Sequence, residues 1–215
     1  KISCVKFKLV VSEHAVPTSR PRATRRQRFR HQLLGAAYRQ ADSVVCVSNR
    51  VAHEVIDLYN VTASRVVTIH NGFQTGAIRS KSFAVEDNLL KKLDGTDFIV
   101  TVSRLSPSKR IDLLLEALAR IRKYRDVKLV VVGTGPELQY LKSLATSLNI
   151  AEHVYFTGWK ENPWQFIRRA AAFVICSPNE SFCQVVVEAL ICDCPVVAIR
   201  GSGGPDEIST LTQGI

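Results

Sequence analysis

The chain has 215 residues, 46% of them hydrophobic and 22% charged, so it can bury a real core. That composition excludes a disordered chain, a collagen-like repeat and a disulfide-dense miniprotein. The net charge of +10 is unevenly placed: residues 1–83 hold 14 Lys and Arg against 4 Asp and Glu, whereas the remainder holds 15 against 15.

Apolar runs rich in Val and Ile recur along the chain at Val5–Val11, Val44–Val47, Val66–Ile69, Phe98–Val102, Leu129–Val132, Val154–Phe156, Phe173–Ile175 and Val196–Ile199. They are mostly continuous rather than alternating, which suits strands of a parallel sheet covered on both faces. Amphipathic stretches lie between them. Ile111, Leu114, Leu115, Leu118 and Ile121 keep the spacing of one helical face, and Leu138, Leu141, Leu144, Leu148 and Ile150 keep that of the next. Alternating strands and helices predict a doubly wound α/β sheet. A change of composition near residues 72–96 marks a domain boundary, set at 83/84. After this stretch, Phe98 to Ile215 is expected to hold five strands and about four helices, and before it there are three strands.

No apolar run reaches the roughly 18 residues of a membrane span, and the opening residues do not read as a secretory signal. The sequence contains no Met, starts at Lys1 and stops at Gln213-Gly214-Ile215, so it reads as an internal piece of a longer protein. The six cysteines, Cys4, Cys46, Cys176, Cys183, Cys192 and Cys194, form no C-x-x-C pair and no zinc spacing, and are expected as free, buried thiols in a reducing compartment. No metal site is expected.

The most informative stretch is Ser177-Pro178-Asn179-Glu180-Ser181-Phe182-Cys183-Gln184-Val185-Val186-Val187-Glu188. A strand is predicted to end near Cys176 and a helix to start near Phe182, where unpaired N–H groups can hold an anion. Glu180 stands just before the predicted helix and Glu188 two turns inside it, so at a rise of about 1.5 Å per residue they are expected roughly 12 Å apart. That is too far for the paired carboxylates of a retaining hydrolase, about 5 Å apart. It suits two grips on an extended ligand with hydroxyls at each end and phosphates between, the shape of a nucleotide sugar. Taken singly, Glu180 reads as a helix cap and Glu188 as a solvated charge.

A second strand-to-helix loop, Val102-Ser103-Arg104-Leu105-Ser106-Pro107-Ser108-Lys109, carries two cations that could neutralise a diphosphate. The alternative is a loop of solvated basic residues. Gly133-Thr134-Gly135-Pro136 and Gly203-Gly204-Pro205-Asp206-Glu207 follow strands and open helices, as phosphate loops or as plain turns. The sequence has no D-x-D metal motif.

Together with Ser12-Glu13-His14, Ile69-His70-Asn71-Gly72 and Phe156-Thr157-Gly158, these stretches resemble the retaining GT-B glycosyltransferases of family four (group 1), in family order along almost the whole chain. The resemblance implies a GT-B fold: the tail of an N-terminal Rossmann-like domain in residues 1–83 and a C-terminal Rossmann-like donor-binding domain in 84–215, lacking its last helix. It implies a hexosyltransferase that uses a nucleotide sugar, UDP-linked by preference, without metal or other cofactor. Arg104 and Lys109 would bind the donor diphosphate and Glu188 the ribose. Glu180 and His14 would contact the transferred sugar, helped by backbone near Phe182 and Cys183. Gly133 would lie against the donor, and Trp159 near the base. Cys183 and Asp193 stand where the family usually has Gly. Most of the acceptor-binding domain is missing, so the chain is expected to bind donor and not to turn over.

The run Arg20–Arg30 holds six Arg and leads into an amphipathic segment, Leu33–Tyr38. It is read as a peripheral membrane contact for an enzyme with a glycan or lipid-linked acceptor, at the cytoplasmic face. A solvated loop is the plain alternative. Nucleic acid is not expected, since aromatic interleaving is sparse. From another class, a non-catalytic nucleotide- or nucleic-acid-binding module remains the second reading. The runner-up among enzymes, a GT-B phosphorylase, would need a Schiff-base Lys for pyridoxal phosphate, and the sequence offers no candidate.

Overall fold

The computed structural model describes residues 8–19 and 24–212. Contacts divide the chain into two compact units: residues up to Gly72 with Asn179–Phe182, and Phe73–Pro178 with Cys183 onward. The 83/84 boundary expected from composition lies just past the helix Thr75–Ser82 of the second unit.

The first unit runs β1 (Val10–Glu13), α1 (Arg25–Gln40), β2 (Ser43–Cys46), α2 (Asn49–Tyr59) and β3 (Val66–Thr68). The strands pair in parallel in the order β1-β2-β3, and a helix makes each crossover, as parallel pairing requires. The Ser48 hydroxyl caps α2 by accepting from the Val51 N–H at 3.2 Å. Asn60, at φ 52°, ends the helix in the left-handed region that Asn tolerates. Of the run expected from Val5, residues 5–7 lie outside the described residues, and the strand that is described starts at Val10.

The second unit opens with α3 (Thr75–Ser82) and α4 (Asn88–Lys92). It continues β4 (Phe98–Val102), α5 (Ile111–Ile121), β5 (Lys128–Val132), α6 (Leu138–Ser147), β6 (Val154–Gly158), α7 (Trp164–Ile167), β7 (Ala172–Ile175), α8 (Gln184–Ile191), β8 (Val196–Ala198) and α9 (Gly204–Leu211). Its five strands are parallel in the order β6-β5-β4-β7-β8. The chain builds outward from β4 to β6, then returns to the other side of β4. Ligands of such sheets bind beyond the strands' carboxyl ends near that reversal.

Leu129, Val130, Val131 and Val132 are all buried, so the continuous apolar run belongs to a doubly covered strand. In α5 the stripe of Ile111, Leu114, Leu115 and Leu118 is buried, but Ile121 is 42% exposed where the helix ends. The next helix stops at Ser147, short of the expected Ile150. Asn149 turns the chain at φ 56°, and Ile150 enters the core from beyond the helix.

Cys46, Cys176, Cys183, Cys192 and Cys194 are free thiols, all but Cys176 buried; Cys4 lies outside the described residues. Burial pushes Cys46 up to about 11, helped by the nearby Glu13 carboxylate. Burial does the same for Cys192 and Cys194. At pH 8 these three thiols will react with an aromatic disulfide reagent on the order of 100-fold more slowly in the folded protein than in the denatured chain, following their thiolate fractions. Rapid labelling of all three in the native state would contradict this burial.

Candidate functional site

A cavity of about 530 Å³ opens at the carboxyl ends of β4 and β5. Ser103 and Arg104 enter it from the loop after β4, Gly133–Gly135 from the loop after β5, Trp159 and Lys160 from beyond β6, and Glu188 from α8. Thus Arg104, Gly133, Trp159 and Glu188, singled out separately in the sequence, share one cavity wall.

The two loops touch backbone to backbone. Ser103 N–H donates to Val132 O at 3.0 Å, Leu105 N–H to Thr134 O at 2.9 Å, and Glu137 N–H to Leu105 O at 3.1 Å. Gly133, at φ 139°, donates its N–H to Gly158 O at 2.8 Å. A Cβ on Gly133 would fall 1.9 Å from Ser103 O, and one on Gly135 would fall 2.2 Å from Leu105 O. Here the glycines are demanded by close approach of two loops, a need the bare Gly-x-Gly pattern does not distinguish from phosphate binding.

Arg104 is exposed, and its guanidinium makes no ion pair among the described residues. Lys160 is different: its ammonium pairs with Asp87 at 2.6 Å. Burial acts to raise the Asp87 carboxyl, but Lys160 and the Leu89 N–H outweigh it and hold it below the ordinary range. Among the described residues, the free cation of the wall is therefore Arg104. Lys109 closes a single 3₁₀ turn, Pro107–Lys109, and is half-buried, but does not line the cavity. Glu188 accepts a 2.8 Å hydrogen bond from the indole N–H of Trp164, a residue the sequence did not single out. Trp159 is 71% exposed at the cavity edge, with its ring available for stacking.

The helix expected from Phe182 begins at Gln184. Cys183 precedes it at φ 69°, ψ 68°, left-handed geometry incompatible with a helical first turn. Glu180–Cys183 is therefore not helical, and the separation of about 12 Å computed from helical rise does not describe the two glutamates. That left-handed geometry is the one Gly adopts without strain, and Cys183 adopts it while buried. Asp193, also read as a departure from Gly, takes φ 56° after α8, and its carboxylate accepts from Arg79 at 2.9 Å and Arg168 at 3.1 Å. Its side chain thus joins α3 and α7 to the end of α8. The Cys183 side chain makes no capping hydrogen bond to α8, and the first turn of the helix holds no acidic residue.

Glu180 and Phe182 belong to the segment that clusters with the first unit. Glu180 is 8% exposed, and the Phe182 ring stacks on His70 at 5.3 Å between centroids. In the same unit His14 is exposed just beyond β1, with its Nε2 2.8 Å from the Ser12 hydroxyl. The turn that carries it is held by buried Glu13, which accepts from the Ala15 N–H at 2.9 Å and from the Tyr38 hydroxyl. In Gly203–Glu207 the N–H groups of Gly201 and Gly203 are already taken by the Asp206 carboxylate, at 2.9 and 2.8 Å. That loop is a closed turn. No group of three or more His, Cys, Asp or Glu converges as a metal cage among the described residues.

A family model described as "Glycosyl transferases group 1" matches residues 85–214, and one described as "Glycosyltransferase Family 4" matches residues 4–76. The chain belongs to the group 1 glycosyl transferases. This group 1 chain is 30% identical over 176 residues to the N-acetylgalactosamine-N,N'-diacetylbacillosaminyl-diphospho-undecaprenol 4-alpha-N-acetylgalactosaminyltransferase of Campylobacter jejuni, covering 82% of this chain and 46% of that one. It is 32% identical over 165 residues to the alpha-monoglucosyldiacylglycerol synthase of Streptococcus pneumoniae, covering 73% and 37%. In structure it resembles Anabaena HepE in complex with UDP and glucose: TM-score 0.78, 26% identity, 94% of this chain and 55% of that one. It spans about half the length of the Campylobacter and Anabaena proteins and a smaller share of the Streptococcus one. The α/β architecture with parallel sheets is that of the GT-B glycosyltransferases.

Gly133→Ala will destabilise the second unit by roughly 3 kcal/mol or more, since backbone must move to admit the methyl. Gly158→Ala adds no steric contact within 4 Å and bears only the cost of its φ of 74°, about 1 kcal/mol. Urea unfolding of both variants checks the ranking, and equal losses would contradict it.

Proposed function

We propose that the second unit holds the nucleotide-sugar donor of a retaining hexosyltransferase, with UDP as the nucleotide. The observation that carries this reading is the single cavity that gathers a free cation, an exposed aromatic ring and a carboxylate at the strand ends. Arg104 and Lys109 receive the diphosphate, Glu188 the ribose hydroxyls and Trp159 the base. The first turn of α8 after Cys183 is placed to offer N–H groups to an anion. The name of the HepE complex, with UDP and glucose, supports the choice of nucleotide.

Glu180 and His14, with the backbone at Phe182, are assigned the transferred sugar. In the reaction the bond from the sugar anomeric carbon to the diphosphate breaks. The acceptor oxygen bonds that carbon on the same face, and its proton passes to the departing phosphate oxygen. Arg104 and Lys109 offset the charge that develops there. The first unit is read as a portion of an acceptor-side part, and the chain spans about half the length of the relatives it matches, so the chain binds donor without turnover.

Titration of the chain with UDP will give a saturable heat, and Glu188→Ala and Arg104→Ala will each weaken binding roughly 10- to 100-fold, as loss of a charged hydrogen bond does. A preference for any polyphosphate or DNA over UDP would favour a non-catalytic binding module instead.

The first unit supports membrane contact with a lipid-linked or glycan acceptor. Arg25, Arg26, Arg28 and Arg30 occupy the first two turns of α1, which contains no acidic residue. Cations there oppose the helix dipole, so helix stability does not account for them. A capping box between Thr24 and Gln27 holds the turn (3.0 and 3.2 Å). Phe29 and Leu33, one turn apart, are 58% and 54% exposed among these arginines, a pattern suited to an anionic bilayer at the cytoplasmic face. Arg20 and Arg22 lie outside the described residues. No helix among the described residues is long and apolar enough to cross a membrane. Co-sedimentation with vesicles containing phosphatidylglycerol will fall when these four arginines are replaced by Gln. Unchanged binding to such vesicles would refute the contact.

A further inference from the structure

Glu188 makes one side-chain hydrogen bond among the described residues, to an indole rather than to a cation. Trp164 opens α7, the single turn between β6 and β7, directly after Pro163. Pro163 and Glu188 line the cavity and Trp164 does not, so the half-buried indole approaches the carboxylate from outside the cavity wall. Lys81 holds its ammonium 5.9 Å from the centre of the indole ring, a cation–π distance that helps to fix the ring. A salt bridge in this place would orient Glu188 and also neutralise it. The indole N–H orients one oxygen, Oε2, and leaves the negative charge in place. Each carboxylate oxygen can accept two hydrogen bonds, so most of the acceptor capacity still faces the cavity.

We propose that Trp164 is a positioning residue for nucleotide recognition: it presets the Glu188 carboxylate to receive the vicinal hydroxyls of the ribose. This rests on the donor reading of the cavity above. A preset side chain loses less rotamer freedom on binding, so the ribose hydroxyls gain affinity that a freely rotating glutamate would not provide. The diphosphate, held by Arg104, gains nothing from Trp164.

The test compares UDP, 2′,3′-dideoxy-UDP and inorganic pyrophosphate by calorimetry on the wild-type chain, Trp164→Phe and Trp164→Gln. The wild type is expected to favour UDP over its dideoxy analogue about 10-fold, the worth of a hydrogen bond to a charged group. Trp164→Phe keeps a ring without the donor and will reduce that preference to within about threefold, with pyrophosphate affinity unchanged. Trp164→Gln, with an amide donor, will restore part of it. An undiminished preference in Trp164→Phe, or an equal loss of pyrophosphate binding, would overturn the positioning role. Absence of UDP binding, or of any preference in the wild type, would overturn the ribose assignment of Glu188 and this inference with it. Should neither variant fold, the wild type still decides. The Trp164 indole ¹⁵N–H resonance will shift on adding UDP and stay in place with the dideoxy analogue; identical responses to both would refute the proposal.

Discussion

The loops that leave β4 and β5 lie backbone on backbone, and the rest of the cavity is built on that contact. Four main-chain hydrogen bonds tie Ser103, Leu105, Gly133 and Glu137 to Val132, Thr134, Gly158 and Leu105. No side chain fits between the two loops at Gly133 or Gly135. With backbone filling the gap, Arg104 projects from a fixed platform rather than a mobile loop. The separate bond from the Gly133 N–H to the Gly158 carbonyl joins the loop after β5 to the end of β6, where the paired Lys160 and the exposed Trp159 follow.

Charge within the cavity follows from which groups already have partners. Lys160 is offset by Asp87, and Asp193, just past the end of α8, is engaged by Arg79 and Arg168. Arg104 and Glu188 keep their charges, one positive and one negative, in a cavity open to ligand. A ligand that carries phosphate at one point and hydroxyls at another meets both demands, whereas a uniformly anionic ligand meets one.

The fold was legible because parallel strands buried on both faces leave a continuous apolar run, as Leu129–Val132 does. Helix ends were less legible: Ile121 is exposed where α5 ends, and Ile150 is buried outside its expected helix because a left-handed Asn149 reroutes the chain, a turn that nothing in a hydrophobic period records. Arg104 could be picked out from its loop position and Glu188 from its spacing to Glu180 across a strand-to-helix loop, whereas Trp159 followed only from the family resemblance. The start of α8 at Gln184 could not, since it depends on a left-handed Cys183 where sequence reading expects ordinary backbone. Trp164 escaped notice because its role is a single hydrogen bond to a residue 24 positions away. Glu13 was read only with His14, and its buried bonds to Ala15 and Tyr38 make it the brace of that turn.

The most direct measurement is a crystal structure of the chain soaked with UDP. The account predicts phosphate oxygens within hydrogen-bond distance of Arg104 and both ribose hydroxyls on Glu188, with the Trp164 bond retained. UDP bound elsewhere, or in this cavity with its ribose turned away from Glu188, would contradict it.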